Sequence, residues 1–199
     1  GEVYIGELDG RITNRVKTIR DLLSSVCKAY VTDNIYGYLW AKQAWLCHAS
    51  IGAMVDATKY EMLTNDKYKD LLVEAVLECV NVAVAEGIRL ESYGKFDIQP
   101  FLQKSPQARK AMYKALRDSG LQDRENLKTK TGLLRDLTVR KRKTEIPWFS
   151  GYVAERGRAL GIPTPINEAA MKIITELENG NRCLGWENLD ELNELLKNR

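Results

Sequence analysis

Apolar residues recur at helical spacing along nearly the whole chain. In RVKTIRDLLSSV, Val16, Ile19, Leu22, Leu23 and Val26 fall on one stripe. Asp33 or Asn34 can cap the next run, Ile35 to Val55, which is apolar on every side rather than along one face. KYKDLLVEAVLECVNVAVAEG predicts another long helix, stopped at Gly87. SPQARKAMYKAL predicts a short amphipathic one, with Ser105 at the N-cap and Pro106 in the first turn. TEIPWFSGYVAERGRALG reads as a helix capped by Thr144 and ended at Gly161. TPINEAAMKIITELENG reads as one capped by Thr164, with Pro165 inside the first turn, ended at Gly180. NLDELNELLKN closes the chain. Only VYIG, residues 3–6, has a β signature, and no second segment pairs with it in a regular way. A lone strand cannot satisfy its backbone groups. One reading is that the chain starts where a sheet-containing domain ended. The expected class is all-α, a multi-helix domain over 11–199 preceded by a strand remnant over 1–10.

Composition narrows the functional classes. With 199 residues, 44% of them hydrophobic, one sizeable core is expected. Thirty basic against 27 acidic residues leave a net charge of +3, so no strong electrostatic partner follows. The run RKRK, Arg140–Lys143, has no interleaved aromatics and reads as a solvated face rather than a nucleic-acid contact. Cys27, Cys47, Cys79 and Cys183 have no metal-ligand spacing and suit reduced thiols of a cytoplasmic protein. His48 is the only histidine, so a metal site has no support. GEVYIGELDG lacks the basic and apolar regions of a signal peptide. Lys42, Gln43 and His48 argue against a membrane span over 35–55.

Two charged residues carry the candidate chemistry. Lys42 sits within YLWAKQAWLCHAS, about eight residues from the helix start and flanked by Trp40 and Trp45. An unpaired buried ammonium is costly. Lys42 therefore either snorkels, its stem packed and its head wet, or faces a pocket as a hydrogen-bond or proton donor. Glu145 either meets the dipole of the helix opened by Thr144 or points into a cleft to hold a substrate hydroxyl. No glycine-rich phosphate loop occurs anywhere.

Several segments together resemble one family. YIGELDG is similar to the last strand and exit of the nucleotide domain of ketopantoate reductases, and LWAKQAW to their W-x-K segment. ECVNVAVAEGI, with Glu78 and Gly87, resembles E-x-x-x-V-A-x-x-x-G-I. KTGLLRDLTVRKRKTEIPWFSGYV matches at Asp136, Glu145 and Gly151, with about one inserted residue between the first two. GIPTPIN resembles G-I-x-T-P-x-N through Gly161, Thr164, Pro165 and Asn167. The resemblance covers nearly all of the chain and implies the C-terminal helical domain of a ketopantoate (2-dehydropantoate 2-) reductase, a fold shared with 6-phosphogluconate dehydrogenase-like proteins.

It further implies an NADP-dependent 2-oxoacid reductase acting in pantothenate biosynthesis, with NADP bound mainly by an N-terminal Rossmann domain of the same chain. Lys42 takes the position of the catalytic lysine, and Glu145 that of the carboxylate which positions the lysine and a substrate hydroxyl. Ser50, Thr131 and Gly132 fall at substrate-binding positions. Where the family has asparagines four and eight residues after the lysine, this chain has Leu46 and Ser50, and Gly132 stands for a serine. Much of the polar substrate set is thus replaced, which puts ketopantoate as substrate in question. The implied partners are a small 2-oxoacid and the Rossmann domain, with a homodimer compatible and neither nucleic acid nor membrane involved. The alternative is a non-catalytic helical module, used for dimerisation or binding, that keeps the family fold.

Overall fold

The structure, a computed structural model, describes residues 1–92, 94, 96–122 and 130–198. The stretch 123–129, inside the expected helical domain, lies outside the described residues. Nine α-helices dominate the described residues: α1 Asn14–Leu23, α2 Ile35–Gly52, α3 Lys59–Leu63, α4 Lys69–Ala85, α5 Pro106–Gln122, α6 Gly132–Arg135, α7 Ser150–Leu160, α8 Pro165–Glu178 and α9 Glu187–Lys197.

The strand signal is not alone. β1, Glu2–Ile5, pairs in parallel with β2, Lys28–Val31, in the register Glu2↔Lys28 to Ile5↔Val31. This corrects the expectation of an unpaired strand: α1 is the crossover of a small βαβ unit. Tyr4 stacks on Tyr30 and on Tyr38, ring centroids 5.4 and 4.0 Å apart, and so docks the unit on the first turn of α2. The apolar stripe of α1 buries only Val16; Leu22 and Val26 are 69% and 79% exposed.

The core lies between α2 and α4, with α8 and α6 against them. Ala44, Cys47 and Ile51 of α2 meet a cluster that includes Leu72, Val76 and Cys79 of α4 and Ile166 and Ile173 of α8. All four cysteines are free thiols, Cys47 and Cys79 buried and Cys183 exposed. Asn34 caps α2 by accepting from the Gly37 amide at 3.2 Å. Its own amide nitrogen donates to the Arg89 carbonyl at 2.7 Å. Gly37 permits this approach, since a Cβ there would lie 2.3 Å from the same carbonyl. Gly87, Gly161 and Gly180, all at positive φ, follow α4, α7 and α8 at the expected stops.

Two predicted helix starts differ. Thr164 occupies the N-cap position of α8 by backbone, but its hydroxyl is buried and makes no capping bond. Glu78 of α4, itself buried, does that work: its carboxylate accepts from the Ile166 and Asn167 amides, both at 2.9 Å, and from Asn167 Nδ2 at 2.9 Å. A charge-assisted bond to the orphan N–H groups outcompetes a hydroxyl there. The helix expected from Thr144 to Gly161 is also broken. Ile146–Trp148 form a 3-10 turn, Phe149 at φ −96°, ψ −102° interrupts, and α7 begins at Ser150. Pro147 lacks an N–H, and the carbonyls of Trp148 and Phe149 are taken by a side chain of α2.

Candidate active site

The open face of α2 gives the site its shape. The helix is not buried all round: Tyr36, Leu39 and Lys42 are exposed, and Leu46 is half-buried. Lys42 is therefore not an interior lysine: its helix, apolar on every side in sequence, leaves one face uncovered. Leu39 and Leu46 lie three residues before and four after it, on the same side of the helix. Among the described residues, the ammonium makes no hydrogen bond and no ion pair.

Opposite this face stands the segment that follows Glu145. Gln43 Nε2 donates to the Trp148 carbonyl at 3.1 Å and to the Phe149 carbonyl at 2.8 Å. The 3-10 turn adds Trp148 N to Glu145 O at 2.9 Å. The backbone of Trp148 is thereby held from two sides, while its indole is 73% exposed. Between the two walls lies a cleft of about 410 Å³, lined by Leu39, Lys42, Gln43 and Leu46 on one side and by Trp148, Phe149 and Tyr152 on the other. Its size falls within the usual range for small-ligand clefts. A larger cleft, about 780 Å³, opens between β1 and the Trp45–Phe96 pair and contains none of the predicted site residues.

The other sequence-predicted residues distribute as follows. Glu145 is exposed, three residues before Trp148 in sequence, and is not among the residues that line the Lys42 cleft. Ser50 lies eight residues beyond Lys42, about 12 Å along the helix axis. It is fully buried, and its hydroxyl has no partner among the described residues. Thr131 caps α6, its hydroxyl accepting from the Leu134 amide at 3.2 Å, and sits by Gly52 at the far end of α2. Gly132 is exposed with open space about its Cα. None of these three lines the Lys42 cleft. Gln43, Trp148 and Tyr152 were missed as wall residues. The exposed aromatic in IPWF, next to a predicted site carboxylate, was the one signal available for them.

The region around Asp136 is structural. Asp136 is buried and begins one turn of π-helix, Asp136–Arg140, which lies where the resemblance has an inserted residue. Arg140 and Arg142 fold back onto its carboxylate at 2.6 and 2.9 Å. Burial by itself would raise this carboxyl, but the two guanidinium hydrogen bonds outweigh it and hold the group below its ordinary value. Lys143 reaches Glu178 and Asn179. The basic run is thus largely ion-paired within the fold. His48 is buried, its Nδ1 against the Trp45 carbonyl. Among the described residues no cluster of metal-ligating side chains forms, and no helix is long and apolar enough to cross a membrane.

The chain is similar to known proteins. The family model described as "Ketopantoate reductase PanE/ApbA C terminal" covers residues 34–178. A 2-dehydropantoate 2-reductase of Pyrobaculum aerophilum is 24% identical over 183 residues, 90% of this chain and 54% of the relative. The chain thus spans about half the length of the relative it matches. A ketopantoate reductase of Ralstonia eutropha JMP134 superposes with a TM-score of 0.69 at 21% identity, over 90% of this chain and 52% of that one. D-mandelate dehydrogenase, solved with NADH and anilino(oxo)acetate, gives a TM-score of 0.72 at 19% identity, over 89% of this chain and 66% of that one. At such identities the two structures share the fold. The family match reaches from the Asn34 cap through the Lys42 face of α2 and the Glu145–Phe149 wall to the end of α8, and on that evidence the chain belongs to the ketopantoate reductase family as its C-terminal domain.

Proposed function

We propose that this chain is the substrate-binding and catalytic half of an NADPH-dependent 2-oxoacid reductase, completed by an N-terminal Rossmann domain. The observation that carries the reading is Lys42: a cation with no partner among the described residues, at the mouth of an apolar cleft, inside the matched region. The β1–α1 turn of this chain does not suit a pyrophosphate. Glu7 already occupies the start of α1, accepting from Thr13 Oγ1 at 2.5 Å and pairing with Arg15. A dinucleotide is accordingly assigned to the preceding half, while the Lys42 cleft suits the reacting end of the complex.

When bound, a reduced nicotinamide supplies the hydride for C2 of the oxoacid. Lys42 accounts for the rest of the step. Its ammonium hydrogen-bonds the ketone oxygen, stabilises the negative charge that grows there, and transfers its proton to that oxygen, leaving a 2-hydroxyacid. Covered by the second half, the apolar walls raise the value of that single charge by excluding water. Glu145, three residues before Trp148 but outside the cleft lining, is assigned on the family resemblance to steer the ammonium and any substrate hydroxyl. The exposed apolar face also supports a second reading, a non-catalytic module that docks a partner there.

Lys42→Ala in the protein carrying both halves separates the two. The first reading expects kcat to fall about a hundred- to a thousandfold on the substrate, with nucleotide binding retained. An unchanged kcat would make Lys42 a surface residue and favour the docking module.

A further inference from the structure

Given the reductase reading above, the Lys42 ammonium serves the ketone oxygen of a 2-oxoacid, and the neighbouring carboxylate needs a donor of its own. Lys42 is the only charged residue in the cleft lining. The positions at which the family resemblance places polar substrate ligands do not supply the donor: Ser50, Thr131 and Gly132 lie outside the lining, and Leu46 stands where an asparagine is expected. The amide nitrogen of Gln43 is spent on two backbone carbonyls. Arg156, one turn beyond Tyr152 on α7, is paired with Glu86. The donors left in the lining are the phenols of Tyr36 and Tyr152 and the indole N–H groups of Trp40 and Trp148.

We propose that Tyr152 binds the substrate carboxylate, from the wall that faces Lys42. Its ring leans on that of Trp40, centroids 5.8 Å apart and planes at 40°. Trp40 is buried, so the core holds the ring of Tyr152, while its hydroxyl makes no hydrogen bond among the described residues. Tyr36 and Trp148 are exposed, and no aromatic ring packs on either among the described residues. A donor fixed beforehand loses less freedom on binding than one recruited from solvent. Tyr152 also lies in the first turn of α7, at the positive end of that helix, where an anion is favoured. Two anchors on two walls, an ammonium for the ketone and a phenol for the carboxylate, orient the oxoacid and so fix which face of C2 is open to hydride. The phenol–carboxylate bond is made alike in substrate and transition state, so its loss raises KM and spares kcat.

The test uses the protein carrying both halves, with reduced nicotinamide cofactor and the better substrate of ketopantoate and 3-methyl-2-oxobutanoate. Oxamate serves as an analogue that cannot be reduced. Tyr152→Phe should raise KM for the oxoacid and the inhibition constant of oxamate together, by about ten- to a hundredfold, with kcat within about threefold of the parent. Tyr36→Phe should leave all three unchanged. Lys42→Ala should show the opposite split, a loss in kcat. An unchanged KM in Tyr152→Phe, a loss confined to kcat, or an equal rise in Tyr36→Phe overturns the assignment of Tyr152 and leaves the reductase reading standing. Failure of the unmodified protein to reduce either 2-oxoacid overturns both.

Discussion

The side-chain amide of Gln43 donates to the carbonyl of Phe149 at 2.8 Å, across a sequence separation of 106 residues. With the companion bond to Trp148, this one side chain fixes the distance between the two walls of the Lys42 cleft.

Gln43→Ala removes donors from two backbone carbonyls. We expect a loss of about 1–2 kcal/mol. For a chain of this size that lowers Tm by roughly 2–8 °C. Gln43→Glu should be worse than Gln43→Ala, because it sets a carboxylate against two carbonyl oxygens. Differential scanning calorimetry of the three proteins checks the order; a Glu variant as stable as the parent would show that the contact does not hold the walls.

Glu78 is predicted to govern the start of α8. Glu78→Gln keeps one oxygen for Asn167 but turns an amide toward a backbone donor, at a cost of about 1–3 kcal/mol. Glu78→Ala strands the Ile166 and Asn167 donors in the core and should cost about 3–5 kcal/mol. Thr164→Val is the contrasting control: it deletes a buried hydroxyl that has no partner among the described residues, so stability should hold or rise. Urea denaturation would measure all three. A large loss in Thr164→Val would return the cap to the threonine.

Asp136 should make stability depend on acid pH. Its carboxyl is held below the ordinary value in the folded chain. The contribution is therefore fully present above the unfolded carboxyl value, about pH 4, and is lost as pH falls through the lower folded value. Asp136→Asn should be less stable than the parent at pH 7, and the gap should narrow steadily below pH 4. Denaturant midpoints across pH 2.5–7 test this, and a gap independent of pH would mean that the loss is packing rather than charge.

Local pattern determined much of this protein without coordinates. Helix stops at Gly87, Gly161 and Gly180, a cap at Ser105 and one at Asp33 or Asn34 were readable because a turn or cap is chosen by one or two adjacent residues; the structure decided for Asn34. The lysine out of place in an apolar run, and five short motifs in family order, marked the region of the candidate site. Tertiary structure alone decided the rest. β2 was not legible because KAYV is four residues long and gains its bonds only by meeting β1 across α1. The run Ile35 to Val55, apolar on every side, left open whether Lys42 snorkels or faces a pocket. Periodicity reports that a helix has apolar neighbours, but which of its sides the other helices leave uncovered depends on how they pack. The cap of α8 came from Glu78, and the wall of the cleft from Gln43, each reaching a backbone group far along the chain. A side-chain hydrogen bond to a distant backbone group leaves no periodic trace. Its partner is whatever unsatisfied N–H or C=O the packing brings within about 3 Å, and only the folded chain establishes that neighbour.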